Sequence, residues 1–142
     1  MNAIALSIIL TAIAVLSTTA FHFETLTILS RRYAEKTTTR RALPGIIMCI
    51  IAAHLIEIGF YAFVFSMADG SFNLGTLGAN TDTSAFEYFY FAAETYSSLG
   101  YGDIFPTGAM RLIAAIEPLN GILMLTWSGS FLFMLVQKGE QK

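Results

Sequence analysis

The chain has 142 residues, 55% of them hydrophobic and only 13% charged, with a mean hydropathy of +0.62 and a formal net charge of −2. That balance is an integral membrane protein's, gives no basis for a nucleic-acid partner, and at this length builds one small helical bundle. The lone Cys49 excludes an intrachain disulfide and, inside an apolar run, reads as a small packed hydrophobe.

Three stretches reach the about 20 mostly apolar residues that a bilayer-crossing helix needs: 3–29, 43–67 and 109–136. The first lacks a basic leading region and a small-residue cleavage site, so it reads as a retained helix and not a signal peptide. The connection after it carries Arg31, Arg32, Lys36, Arg40 and Arg41 against Glu35, and the C-terminal tail carries Lys138 and Lys142. The second connection has Asp69 and Asp82 and no basic residue. Since Lys and Arg accumulate in cytoplasmic loops, the N-terminus is expected outside the cell membrane, the basic loop and C-terminus inside, and residues 68–108 entering from outside.

Within that outer connection, residues 69–75 are rich in loop formers and read as an exposed turret. Residues 84–97 are too short to cross and read as a re-entrant helix, with Ser84 and Glu87 spaced as a capping box. Its C-terminal end carries the negative end of the helix dipole, which favours a cation. There the chain runs Ser97-Ser98-Leu99-Gly100-Tyr101-Gly102-Asp103. Gly100 and Gly102 tolerate positive φ, which lets successive carbonyls turn to one side, and a row of carbonyl oxygens can replace a cation's hydration shell.

Ser98-Leu99-Gly100-Tyr101-Gly102-Asp103 resembles the filter of the tetrameric potassium channels, which reads Thr-Val-Gly-Tyr-Gly-Asp. Asp103-Ile104-Phe105-Pro106 is similar to that family's filter exit, Tyr90-Phe91 fall where it has two aromatics, and Glu94-Thr95 where several bacterial members have a glutamate and a threonine. The likeness covers roughly residues 84–136, with 43–67 as a generic outer helix and 1–42 without counterpart. Together with the first span, which the family lacks, it implies an all-α integral membrane protein with three transmembrane helices, a re-entrant pore helix and a filter loop, forming a homotetramer around a central pore in the lipid bilayer. Residues 1–42 are then an added helix and cytoplasmic loop, and 43–142 the pore domain.

The same resemblance implies K+ held by the carbonyls of Ser98, Leu99, Gly100 and Tyr101, with the Ser98 hydroxyl completing the innermost site and the Leu99 and Tyr101 side chains packed behind. Ser98 departs from the family's threonine and Phe91 from its tryptophan, leaving Tyr88, Tyr90 or Tyr96 to steady the filter. It also implies that Glu94 and Asp103 approach each other there, and two such carboxyls cannot both ionise cheaply. A carboxyl satisfied by a nearby hydroxyl or water is the plain alternative for Glu94. For the whole motif the plain alternative is a Gly-rich turn in a pore that no longer conducts.

In the last span Pro118 and Gly121 mark a bend, serving as a hinge or as a fixed kink that fits the helix around the pore helix. Beyond it, Leu125, Thr126, Gly129, Ser130 and Phe133 are candidates to face the cavity, although small residues also suit close helix packing. His22, Glu24, His54, Glu57 and Glu117 are ionisable residues inside spanning stretches, and such residues face protein or water. At about 1.5 Å per residue His22 and His54 share a depth and Glu57 lies near Glu117. These residues either dock the first helix by hydrogen bonds or form a proton or metal site.

No helix repeats arginine at every third position, and little sequence follows the last span, so gating is expected from the filter, the bend, the intramembrane acids and histidines, or a separate regulatory subunit. Neither a cofactor nor an enzymatic activity is expected. The expected function is potassium-selective conduction; the alternatives are a non-selective monovalent cation channel and a non-conducting membrane sensor or accessory subunit.

Overall fold

A computed structural model describes residues 2–33, 42–78 and 83–140. Glu35, Lys36, Arg40, Arg41, Asp82 and Lys142, used above for orientation, lie outside the described residues. Four α-helices make up the fold: α1 (Ala3–Tyr33), α2 (Leu43–Gly70), α3 (Ala85–Tyr96) and α4 (Met110–Glu140). No strand occurs among the described residues. α1, α2 and most of α4 are long and apolar enough to cross a membrane, and α3 is not. Each spanning helix outruns its expected C-terminal boundary by a few residues because polar ends continue the helix into the interfacial region.

α1 packs on α2 and α4 but not on α3, while α3 packs chiefly on α2 and also on α4. The buried face of α1 reads Ser7, Thr11, Ala14, Thr18, His22, Leu26 and Leu29. Large apolar residues such as Ile4, Ile8, Leu16 and Ile28 are exposed instead. Against lipid there is no hydrophobic gain in turning Leu or Ile inward, so small and polar side chains take the helix contacts. Cys49, expected in the core, is exposed on α2 for the same reason.

Two apolar clusters divide the interior. One contains Tyr61, Phe65, Leu74, Leu77, Phe91, Tyr96, Met110, Ile113 and Met124, and the other Leu26, Leu29, Ile46, Ile50, Phe131 and Leu135. The second joins the end of α1, the start of α2 and the end of α4, so Arg31, Arg32 and Lys138 gather at one end of the bundle. At the other end the segment after α2 is stapled to the segment before α4. Thr107 N donates to Thr76 O (2.9 Å), Gly78 N to Phe105 O (2.8 Å), Ala109 N to Leu74 O (2.7 Å) and Thr76 N to Thr107 Oγ1 (2.8 Å).

α4 runs without interruption through Pro118 and Gly121. A Cβ on Gly121 would sit 2.0 Å from the Tyr96 carbonyl oxygen, so the absent side chain is what lets α4 meet the C-terminus of α3. Gly121→Ala is expected to push these helices apart at a cost of about 1–3 kcal/mol. The thermal midpoint in detergent should fall, while Gly129→Ala, whose added carbon meets nothing within 4 Å, should leave it unchanged.

Candidate functional site

α3 begins as its sequence requires. Glu87 N donates to Ser84 Oγ (3.3 Å) and Ser84 N to Glu87 Oε2 (2.6 Å), closing the capping box. Phe91 is buried and meets Phe65 edge to face, with ring centroids 5.0 Å apart. An apolar contact there replaces the polar tie that an indole would make.

The end of α3 hands its acceptors to the following loop. Ser98 N donates to Thr95 O (3.0 Å), and Leu99 N and Gly100 N both donate to Glu94 O (2.8 and 3.3 Å). Tyr101 N then donates to the Glu94 carboxylate oxygen Oε2 (3.0 Å). Glu94 therefore holds three successive backbone amides from one buried position.

Backbone φ is positive at alternate residues: Ser98 (59°), Gly100 (53°) and Gly102 (79°). The glycines were legible as such positions; Ser98 was not. A non-glycine residue there costs about 1–2 kcal/mol, and a β-branched residue fits worse still, so serine suits this backbone better than threonine. Residues 97–103 are all exposed in the single chain, and the side chains of Leu99 and Tyr101 are 57% and 68% accessible.

Asp103 closes the segment by a different route. Its Oδ2 accepts from the Tyr90 hydroxyl (3.1 Å) and its Oδ1 from Ile104 N (3.1 Å). Of the three tyrosines considered, Tyr90 thus reaches Asp103, Tyr88 donates to Asp69 (2.7 Å), and Tyr96 turns inward. Glu94 and Asp103 are brought to the same loop without a recorded hydrogen bond between them among the described residues. Burial pushes the Glu94 carboxyl above its ordinary value, the Tyr101 amide pulls it back, and the Asp103 charge adds to the rise.

A second polar group spans the bundle interior. His22 Nδ1 lies 2.8 Å from Glu57 Oε1 and His54 Nδ1 lies 3.1 Å from Glu57 Oε2. Tyr96 donates its hydroxyl to Glu57 Oε2. Ser128 Oγ lies 3.0 Å from His54 Nε2 and 3.2 Å from His22 Nε2. Glu24 and Glu117 do not join them. Glu24 is exposed, because two residues from His22 is about 200° around the helix. Glu117 is fully buried, yet neither carboxyl oxygen has a hydrogen-bond partner among the described residues. A further network links Asn120 Nδ2 to Thr18 Oγ1 (2.8 Å) and Tyr61 Oη (3.1 Å).

The sequence reading missed Ser128 and the role of Asn120. Both lie on the buried stripe of α4 through 117, 120, 124, 128, 131 and 135, a heptad-like spacing that was present to be read. Leu125, Thr126, Gly129, Ser130 and Phe133 are exposed, off that stripe.

The Glu94 environment has a pH signature. A carboxyl whose value is raised in the folded state contributes stability that is complete below the ordinary 4.5 and is lost as pH rises through the raised value. Thermal midpoints measured from about pH 4 to about pH 8 should carry this decline, and Glu94→Gln should remove its share of the slope.

A family model described as an ion channel matches residues 50–138. No curated protein and no solved structure matches the chain.

Proposed function

The chain belongs to this ion channel family, and from that premise we propose that it conducts K+ passively and selectively, through a filter formed by the backbone of Ser98, Leu99, Gly100 and Tyr101. The observation that carries the reading is the alternation of left-handed residues at 98, 100 and 102 in an exposed loop segment whose Leu99, Gly100 and Tyr101 amides are tied back to Glu94. With the amides turned toward α3, the carbonyls are free to line a path, and carbonyl dipoles are what a dehydrated K+ ion needs.

One exposed loop segment cannot surround an ion. Four copies about an axis supply the ring, and the assembly would cover Leu99 and Tyr101, which the single chain leaves open. Hence the functional unit we propose is a homotetramer in the cell membrane. Its N-terminus lies outside and its C-terminus inside, with the end bearing Arg31, Arg32 and Lys138 toward the cytoplasm. In this reading residues 1–42 are an added helix with its basic loop and 43–142 the pore domain. Pro118 and Gly121 then shape the inner helix around the pore helix. Thr95 and Phe91 support the filter from α3, and Tyr90 holds its exit through Asp103. No cofactor and no catalysis enter this account; K+ is cargo.

The test is ion flux into vesicles reconstituted with the purified protein. Potassium flux is expected to exceed sodium flux by well over tenfold and to vanish when Gly100 and Gly102 are both changed to alanine, whose left-handed φ costs about 1–2 kcal/mol at each site. Comparable potassium and sodium flux would mean a non-selective channel. No flux at any pH or voltage would mean a non-conducting sensor or accessory subunit.

A further inference from the structure

The densest group of ligating atoms in the described residues lies away from the filter. His22 on α1 and His54 and Glu57 on α2 are all buried, and one ligating atom from each falls within 4.8 Å of the others. Two independent regularities mark the group. Both Nδ1 atoms converge on one carboxylate, and both Nε2 atoms converge on one hydroxyl, Ser128 Oγ.

The second regularity is the informative one. If both Nδ1 atoms carry the protons donated to Glu57, two neutral rings present two bare Nε2 lone pairs to Ser128. A serine hydroxyl has one proton to give, so one ring nitrogen is left unsatisfied unless an extra proton is added. If a metal ion takes the place of the protons between the Nδ1 atoms and the carboxylate, both rings carry Nε2–H. The two lone pairs of Ser128 Oγ then accept both ring N–H groups. A ring N–H given to a fixed acceptor is the usual support behind a histidine ligand.

We propose that His22, His54 and Glu57 bind one divalent transition-metal ion of the Zn2+ or Fe2+ class through the two Nδ1 atoms and the Glu57 carboxylate. Ser128 orients both rings. The Tyr96 hydroxyl, bonded to Glu57 and 3.1 Å from His54 Nδ1, brings a further oxygen to the group. Donor separations of 2.8 and 3.1 Å correspond to ligands about 84–95° apart around an ion at about 2.1 Å. Two imidazoles and a carboxylate suit these ions, whereas Mg2+ and Ca2+ take oxygen ligands, so the site is chemically distinct from the proposed K+ path. Through Tyr96, the last residue of α3, the ion would tie α1 and α2 to the helix that leads into Ser98. The site stands on the cluster's geometry alone and holds whether or not the chain conducts.

The probe is Co2+, titrated into full-length protein purified in detergent with a histidine-free tag and no chelator. One Co2+ per chain is expected, with a visible d–d absorption that Zn2+ abolishes. His22→Gln should remove stoichiometric binding, and Ser128→Ala, which keeps all three ligands, should weaken Co2+ affinity by about 10–100-fold. Monodisperse wild-type protein that takes up no Co2+ at millimolar concentration would overturn the site, as would a Co2+ spectrum and affinity unchanged in His22→Gln and Ser128→Ala. Should His22→Gln fail to fold, the wild-type spectrum and the Ser128→Ala shift decide the matter.

Discussion

Glu94 is the constraint on which the rest of the loop depends. Unpaired backbone amides inside a bilayer cost several kcal/mol each, so a non-helical segment at that depth survives only if something buried answers its donors. The carbonyl of Glu94 answers Leu99 and Gly100 and its side chain answers Tyr101. Because the amides are committed to α3, the alternate left-handed residues can leave the carbonyls on the open side. Phe65 against Phe91, and Tyr96 against α4 at Gly121, hold α3 where this is possible.

The bundle around α3 is organised inside out relative to a soluble protein. Its apolar residues are divided between lipid and two inner clusters, and polar contacts cross the helix interfaces between those clusters. Asn120 joins α4 to Thr18 of α1 and Tyr61 of α2, and the His22, His54, Glu57, Ser128 and Tyr96 group draws on all four helices. Both networks bind α1, which does not pack on α3, to the other helices of the bundle. Docking of α1 is accordingly polar, as its small and hydroxyl-bearing face requires.

How much of this was legible follows from the range of each determinant. The three spans, the re-entrant helix and its cap were readable because apolar length and a Ser-to-Glu spacing of three residues are local properties. The left-handed glycines were readable from residue type. Ser98 was not, since its φ is imposed by the bonds of Thr95 and Glu94 to the residues around it. Naming Glu24 with His22 as one set of intramembrane ionisable residues ignored the azimuth that sends Glu24 outward. Ser128 carries no charge and drew no notice, although its helical phase with Glu117 and Asn120 places it inside. Long-range pairings such as Ser128 with two histidines on other helices have no signature in a single sequence.

The central claim is geometric: the carbonyls of Ser98, Leu99, Gly100 and Tyr101 form rings about a shared axis. A cryo-electron microscopy map of the full chain in a lipid nanodisc with Tl+ in place of K+ tests it directly. The account predicts four chains about one axis, discrete ion density between those carbonyl rings, and Leu99 and Tyr101 packed behind them. An axis lined by the Leu99 and Tyr101 side chains, or an assembly without ion density at the 98–101 carbonyls, would contradict it.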